Sequence, residues 1–287
     1  MRHRKPKPKW RSRVLFVAFL PLVFLVTWDE PLREDTFSAR QHGQAPADTR
    51  PGAPRPEIVS RSDWNADEDM VRERASSLNG VRTVFIHHTN QPNDYDCSDV
   101  PRKLRMLEAD HIRRGWDDLG YNFVIDRCGT IYEGRSGGLS RSVEGAHTKG
   151  FNSHSLGIAA LGTFEEGQKV PQPMVDSIAA LAAWKLEPGI DPRGRTRMVS
   201  SSDESRFDKG EKAKFDVIAG HRDAYETTCP GRALYDKLGE VRKKVARLRE
   251  RAEGREPGPS STEADAGRGD RHDRQHRHDW HDHHHRH

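Results

Sequence analysis

The run Arg82-Thr83-Val84-Phe85-Ile86-His87-His88 is β-branched and aromatic and follows the turn pair Asn79-Gly80. It predicts a strand buried on both faces. The period then changes. Leu104, Leu107 and Ile112 recur at helical spacing among charges between Lys103 and Arg113, and Gly115 ends the pattern, which predicts a helix. Tyr121 to Asp126 and Thr130 to Glu133 flank Arg127-Cys128-Gly129 and read as a hairpin. Leu156 to Leu161 is another apolar strand ending at Gly162. Between Pro171 and Leu186 the pattern is an amphipathic helix with Met174, Ile178, Leu181 and Trp184 on one side. Gly189 to Lys214 has little apolar content and reads as an exposed insertion. Phe215 to Ala219 predicts a strand that delivers His221 to its end, and Arg232 to Arg249 a last helix. Strands interspersed with helices imply an α/β fold, a central sheet covered by helices, in one domain over residues 58–250.

The two ends do not continue these patterns. Arg2, Arg4, Lys5, Lys7, Lys9, Arg11 and Arg13 precede an apolar run from Val14 to Trp28. A basic head followed by a short apolar stretch makes residues 1–28 a signal peptide or an uncleaved membrane anchor. The run falls short of the roughly 20 apolar residues of a spanning helix, which favours the signal peptide. No small-x-small site follows it directly; Ala45-Pro46-Ala47 is distant and interrupted by proline. Either way the chain is expected to be secreted or held at the cell surface. Residues 29–57 read as a flexible linker. Residues 251–287 form a tail expected to be disordered, and it holds eight of the sixteen histidines. That density admits extra metal ions or a pH-sensitive contact with an anionic surface; a neutral low-complexity extension is the plainer alternative.

Composition narrows the picture. With 33% hydrophobic and 32% charged residues over 287, the whole length is too polar to be core. The net charge of +4 is small for this size, its basic residues concentrate at the ends, and no nucleic-acid-reading motif is present. Nucleic acid is therefore not an expected partner. Three cysteines divide most simply into one metal ligand and one disulfide pair.

His87, His221 and Cys229 carry the candidate chemistry. Imidazole and thiolate suit zinc, and three protein ligands leave the fourth tetrahedral position open, as in catalytic zinc sites. A closed structural site would supply four ligands, often from paired CxxC motifs, and there are none here. His87 and His221 each end a predicted strand, where side chains emerge into a loop-rimmed cleft. A three-ligand zinc lowers the pKa of its water to about 7 and polarises a carbonyl.

The residues around these positions carry a resemblance. Ser60-Arg61-Ser62-Asp63-Trp64 opens the domain, followed by Val84-Phe85-Ile86-His87-His88-Thr89 and Gly115-Trp116-Asp117-Asp118-Leu119-Gly120-Tyr121-Asn122-Phe123. Gly129-Thr130-Ile131-Tyr132-Glu133-Gly134-Arg135, Gly145-Ala146-His147-Thr148, Gly157-Ile158, Gly220-His221-Arg222-Asp223 and Cys229-Pro230-Gly231 complete the series. Taken in order, these blocks resemble a peptidoglycan recognition protein domain of the zinc-dependent N-acetylmuramoyl-L-alanine amidase type, similar also to phage amidase-type lysozymes. The resemblance implies a mixed sheet with flanking helices. It also implies peptidoglycan as partner and hydrolysis of the amide joining the muramic lactyl group to L-alanine of the stem peptide.

Carried over residue by residue, His87, His221 and Cys229 match the family's zinc ligands, and Tyr121 matches a tyrosine that acts on the water and the scissile carbonyl. Thr227 stands where some relatives have lysine, so a neutral hydroxyl replaces a charged electrophile. His147 matches a substrate-contacting histidine of the cleft. His88 points to the opposite face, with a structural role. Plainer readings stand beside these. On spacing alone Tyr121 is a hairpin aromatic. Asp223 either accepts from His221 in support of the metal site or pairs with a nearby arginine. His111 is a satisfied core or boundary residue, and Trp64, Trp116 and Trp184 are core. Glu133 lacks the partner carboxylate a glycosidase requires. Cys97 and Cys128 remain for a disulfide, which an exported location permits, against the alternative of two free thiols. Besides the zinc amidase, a peptidoglycan-binding module without turnover and a metal-buffering protein driven by the tail are the competing functions.

Overall fold

Consecutive apolar residues such as Val84, Phe85 and Ile86 can all be buried only in a strand covered on both faces. All six residues of β1 (Thr83–His88) are buried. In the computed structural model, which describes residues 53–254, the remaining elements follow in chain order. They are α1 (Val100–Arg113), β2 (Phe123–Ile125), β3 (Ile131–Glu133), β4 (Ser155–Ala160), α2 (Gln172–Lys185), β5 (Arg195–Val199) and β6 (Lys212–Asp216). β7 (Ile218–Gly220), α3 (His221–Ala224), α4 (Arg232–Asp236) and α5 (Leu238–Ala252) complete the chain. The expected export segment, the linker up to residue 52 and the tail from residue 255 lie outside the described residues. No helix among the described residues is long and apolar enough to cross a membrane.

The central sheet has the order β3-β2-β4-β1-β7. β1 runs parallel to both β4 and β7, β2 runs parallel to β4, and β3 is antiparallel to β2. It is the mixed sheet flanked by helices that the resemblance implies. Alternation along β1 divides its side chains. Val84 and Ile86 join Leu156, Ile158, Phe123 and Ile125 in a core closed by Met174, Ile178 and Leu181 of α2 and Val241 and Val245 of α5. The opposite face has two covers. Val124 and Ala159 pack under Leu104 and Leu107 of α1 together with Trp64. Phe85 and Ala219 pack against Phe151, Met198, Ala213 and Phe215. His87 emerges on this second face.

Several elements differ from expectation. The single strand expected over 215–219 is divided between two sheets: Phe215 and Asp216 belong to β6, which pairs antiparallel with β5, while Ile218 begins β7. Val217 is the junction; its N–H donates to Gly194 O and its carbonyl accepts from Val84 N. Periodicity names no pairing partner, so an apolar run hides such a change of sheet. The expected exposed insertion therefore contains a hairpin whose solvent side is arginine and lysine together with Val199, and whose few buried residues include Met198 and Ala213. α2 is not simply amphipathic, because α5 covers a further side of it; Val175, Ala179, Ala182 and Ala183 are buried too. Trp184 is half-buried at the margin, under the Arg55 guanidinium. Packing also begins before residue 58, since Ala53 is buried in the main core.

Two cross-links hold the α1 side in place. Arg61, 4% exposed, bonds Glu108 Oε1 of α1 at 2.6 Å and Asp118 Oδ1 at 3.2 Å. Asp118 in turn accepts from the N–H groups of Leu119 and Ser136, fixing the turn that leads to Tyr121. Gly115, at φ +95, reverses the chain after α1, a conformation that costs little only without a Cβ. Cys97, ahead of α1, forms a disulfide with Cys128 in the β2–β3 turn across 31 residues, excluding the two-free-thiol alternative.

A loop of that length corresponds to about 3–4 kcal/mol in the chain-entropy account of cross-linking. The Cys97→Ala/Cys128→Ala protein is therefore expected to unfold at a clearly lower urea concentration. An unchanged midpoint would show that the unfolded chain gains nothing from losing this link.

Candidate metal centre

The site is assembled from three backbone segments. His87 lies near the end of β1, level with Ala159 of β4. β7 stops at Gly220, and His221 is the first residue of α3. Cys229 lies in the loop after α3, whose shape is held by Arg222 N–H donating to Cys229 O and Gly231 N–H donating to Thr228 O. The Cys229 sulfur also accepts from His88 N–H at 3.3 Å. His87 Nδ1 is 3.8 Å from Cys229 Sγ, and the His87 and His221 ring centroids are 4.4 Å apart. One ligand atom from each of the three lies within 4.8 Å of the others. Zinc bonds of 2.0–2.3 Å at tetrahedral angles separate ligand atoms by roughly 3.5 Å, so the triad fits one such ion with little adjustment.

Burial sets the protonation of these groups. It lowers the His87 pKa well below the ordinary imidazole value, with His221 and His147 nearby adding to the effect. It lowers His221 to about 4 and His147 to about 3. All three rings are therefore neutral near pH 7 and keep lone pairs free for a cation. The same burial raises the Cys229 thiol to about 12, opposed by the His88 N–H. A thiol so placed becomes a thiolate only beside a positive charge.

The second nitrogen of His87 has a built environment. Nε2 is 3.2 Å from His147 Nδ1 and 3.3 Å from Thr148 Oγ1, and those two atoms are 3.0 Å apart. If His87 presents Nδ1 to a metal, its proton sits on Nε2 and is donated into this pair. His147 Nδ1 is then an acceptor, which puts the His147 proton on Nε2. That nitrogen is buried and has no protein partner. The His147 ring fits because Gly157 lacks a side chain: a Cβ there would overlap the ring.

Tyr121 packs 5.3 Å from the His87 ring, and burial together with Cys229 raises its phenol well above the ordinary value. It remains an O–H donor at neutral pH. His111 is satisfied as a core residue: Nδ1 accepts from Gly120 N–H, and the ring packs on Trp116 and Tyr121. Thr227 Oγ1 accepts from Cys229 N–H at 3.2 Å, so the hydroxyl also braces the loop that carries the thiol. His88 lies on the α2–α5 face, where Nδ1 accepts from Phe164 N–H.

Two expectations change. The Asp223 carboxylate neither bonds the His221 ring nor pairs with an arginine of the described residues. It accepts from Gly220 N–H at 2.8 Å and from Tyr235 O–H at 2.7 Å, bracing the backbone that starts α3. Trp116 is not core: it lines a cleft of about 330 Å³ with Ala146, His147, Lys149, Asn152, His221 and Tyr225. Trp64 is fully buried, as expected. Glu133 accepts from the N–H groups of Leu139 and Arg61, so its carboxylate is engaged by backbone. Sequence reasoning missed Thr148 and Tyr225. Adjacency to His147 was the signal for Thr148; Tyr225, stacked on His221 at 5.3 Å, had none beyond being aromatic.

Comparison with known proteins places these residues in context. The family described as N-acetylmuramoyl-L-alanine amidase matches residues 77–232, more than half of the chain. A peptidoglycan-recognition protein of Drosophila simulans is 33% identical over 182 residues, 63% of this chain and 85% of that protein. Peptidoglycan-recognition protein LB of Drosophila melanogaster is 30% identical over 185 residues, covering 63% and 67% respectively. Among solved structures, Drosophila peptidoglycan recognition protein SA shares the fold with a TM-score of 0.50 at 21% identity, over 64% of this chain and 91% of that one.

The buried neutral rings make the metal-free protein acid-sensitive. Unfolded histidines take up protons below about pH 6.5, whereas the folded rings resist them until about pH 3–4. The unfolded state thus binds more protons in this window, and stability falls as pH drops through it. In chelator, the urea midpoint should decline between about pH 6.5 and 4.5, and less steeply in His147→Gln. Parallel declines in the two proteins would remove His147 from this account.

Proposed function

The chain belongs to the N-acetylmuramoyl-L-alanine amidase family, and on that premise we propose that it is an exported zinc amidase. Its reaction is hydrolysis of the amide between N-acetylmuramic acid and L-alanine of peptidoglycan. In this reading residues 58–250 are the amidase domain, 1–28 the export segment, 29–57 the linker and 251–287 the tail. The observation that carries the proposal is the convergence of His87, His221 and Cys229, with the Tyr121 ring packed against His87.

His87, His221 and Cys229 would hold the zinc. When bound, zinc supplies Lewis acidity toward the amide carbonyl and the attacking water. The chain's own residues do the rest. The cleft from Trp116 to Tyr225 takes the muramyl-peptide. Tyr121 O–H is a donor held beside His87 for the oxygen on which charge develops, where burial strengthens it, and His147 lines the same cleft as a substrate contact. Thr148 Oγ1 and His147 Nδ1 bracket His87 Nε2 and hold that ring in place. Thr227 and Asp223 hold the loop and helix start that present Cys229 and His221.

A second reading has one observation in its favour: the relatives compared above are named as recognition proteins. The same cleft would then bind peptidoglycan without turnover. Digestion of purified peptidoglycan, with and without chelator, followed by mass analysis separates the two. An amidase frees the L-alanine amino group and the lactyl carboxylate, and chelator stops it. Wall binding without new ends in metal-replete protein would favour the binding module.

Removing one oxyanion donor typically costs about 10²–10³ in rate. Tyr121→Phe should lose roughly that in kcat with zinc retained; near-normal turnover would return Tyr121 to a packing role. A chain ending at residue 254 should hold one zinc, lost in Cys229→Ser. Thr227→Ala should lose less kcat than Tyr121→Phe and release zinc more readily, because Cys229 N–H loses its acceptor. Zinc retention equal to wild type would limit Thr227 to the substrate side.

A further inference from the structure

One loop separates two depressions. Lys149 and Asn152 face the cleft of the metal centre, whereas Phe151 and His154 line a second cavity of about 300 Å³ behind it. Arg82 and, from β5, Arg197 and Met198 supply further walls of this second cavity. Phe151 and Met198 are buried, so the floor is apolar.

The charge of this cavity is one-sided. No aspartate or glutamate lines it. Neither Arg82 nor Arg197 makes an ion pair or side-chain hydrogen bond with any described residue. Neighbouring arginines of the same region are matched: Arg195 pairs with Asp216 and Arg193 with Glu250. The Nδ1 of His154 is buried without a partner. Two permanent cations, both exposed at its margin, therefore share one cavity with an apolar floor, so that an anion there is met from more than one side. A planar carboxylate is saturated by a single guanidinium fork. Donors from separate walls instead match a tetrahedral anion, whose free oxygens point in different directions.

We propose that this cavity is a second binding site, taking a phosphodiester group of an anionic wall polymer while the peptidoglycan stem occupies the cleft across the loop. The assignment to a wall polymer rests on the amidase reading; the anion chemistry rests on the cavity alone. Its role is to hold the enzyme on phosphate-bearing wall.

The test uses the full chain and two charge-matched variants, Arg82→Gln/Arg197→Gln in the cavity and Arg247→Gln/Arg251→Gln on α5 and its end. The probes are a glycerol-phosphate polymer, phosphatidylglycerol vesicles and a DNA oligonucleotide. The cavity variant should bind the polymer about tenfold or more weakly, the scale of a lost charge-assisted contact, and the helix variant less than about threefold. Turnover of a soluble muramyl-peptide should be unchanged in the cavity variant, while KM rises on phosphate-bearing wall and not on wall stripped of phosphate. Equal weakening in both variants reduces the effect to net charge and overturns the site. Stronger binding of vesicles or DNA than of polymer, lost only in the cavity variant, overturns the wall-polymer assignment. Failure of wild type to turn over muramyl-peptide, with polymer binding still lost in the cavity variant, counts against the amidase reading and not against the anion site.

Discussion

The cleft depends on His87 being buried near the end of β1, a strand with a parallel neighbour on each side. A polar ring with 1% exposure cannot rely on water for its two nitrogens. The fold must supply both partners, and it does so from opposite sides: Cys229 toward Nδ1, His147 and Thr148 toward Nε2. Several choices elsewhere follow from this. Gly157 leaves room for the His147 ring, Gly220 lets the chain approach Tyr235 closely, and His88 takes the other face of the same strand. The neutral rings that result are good metal ligands and acid-labile elements for the same reason.

The second face of the sheet explains why a cleft exists at all. One part is covered by α1, pinned through Arg61 and the Cys97–Cys128 disulfide, and another by the β5–β6 hairpin. The covers come from distant parts of the chain and pack on different strands. The loop carrying His147 and Lys149 is tied to the hairpin end through Ser201 N–H donating to Gly150 O and through the Lys149–Glu204 pair. That wall of the cleft is thereby joined to the β5–β6 hairpin, an arrangement that helps to position reacting groups.

Support for the candidate ligands comes mainly through backbone. Asp223 and Thr227 accept from main-chain N–H groups at the start of α3 and at Cys229. Such supports set where a ligand's Cα lies and leave its ring free to adjust. His87 is different, because its ring itself is bonded.

Much of this was legible in the residues. β1, α1, the β2–β3 hairpin, β4 and α2 follow from period and flanking glycine or proline, since local steric and burial preferences act over a few residues. That His87, His221 and Cys229 come together was anticipated from their residue types, which suit zinc, and from the motif resemblance, since isolated histidines and cysteines have many other uses. What the residues left open was pairing and direction. Val217 divides an apolar run between two sheets, Trp116 turns to the cleft where Trp64 turns to the core, and Asp223 bonds the Gly220 N–H and the Tyr235 hydroxyl where an imidazole or an arginine was expected. Arg82 and Arg197 come to share a cavity although more than a hundred positions separate them. Each of these depends on which distant segment occupies the neighbouring space, and periodicity carries no information about that neighbour. Local chemistry is written in the sequence; the partner of each side chain is decided only when the sheet closes.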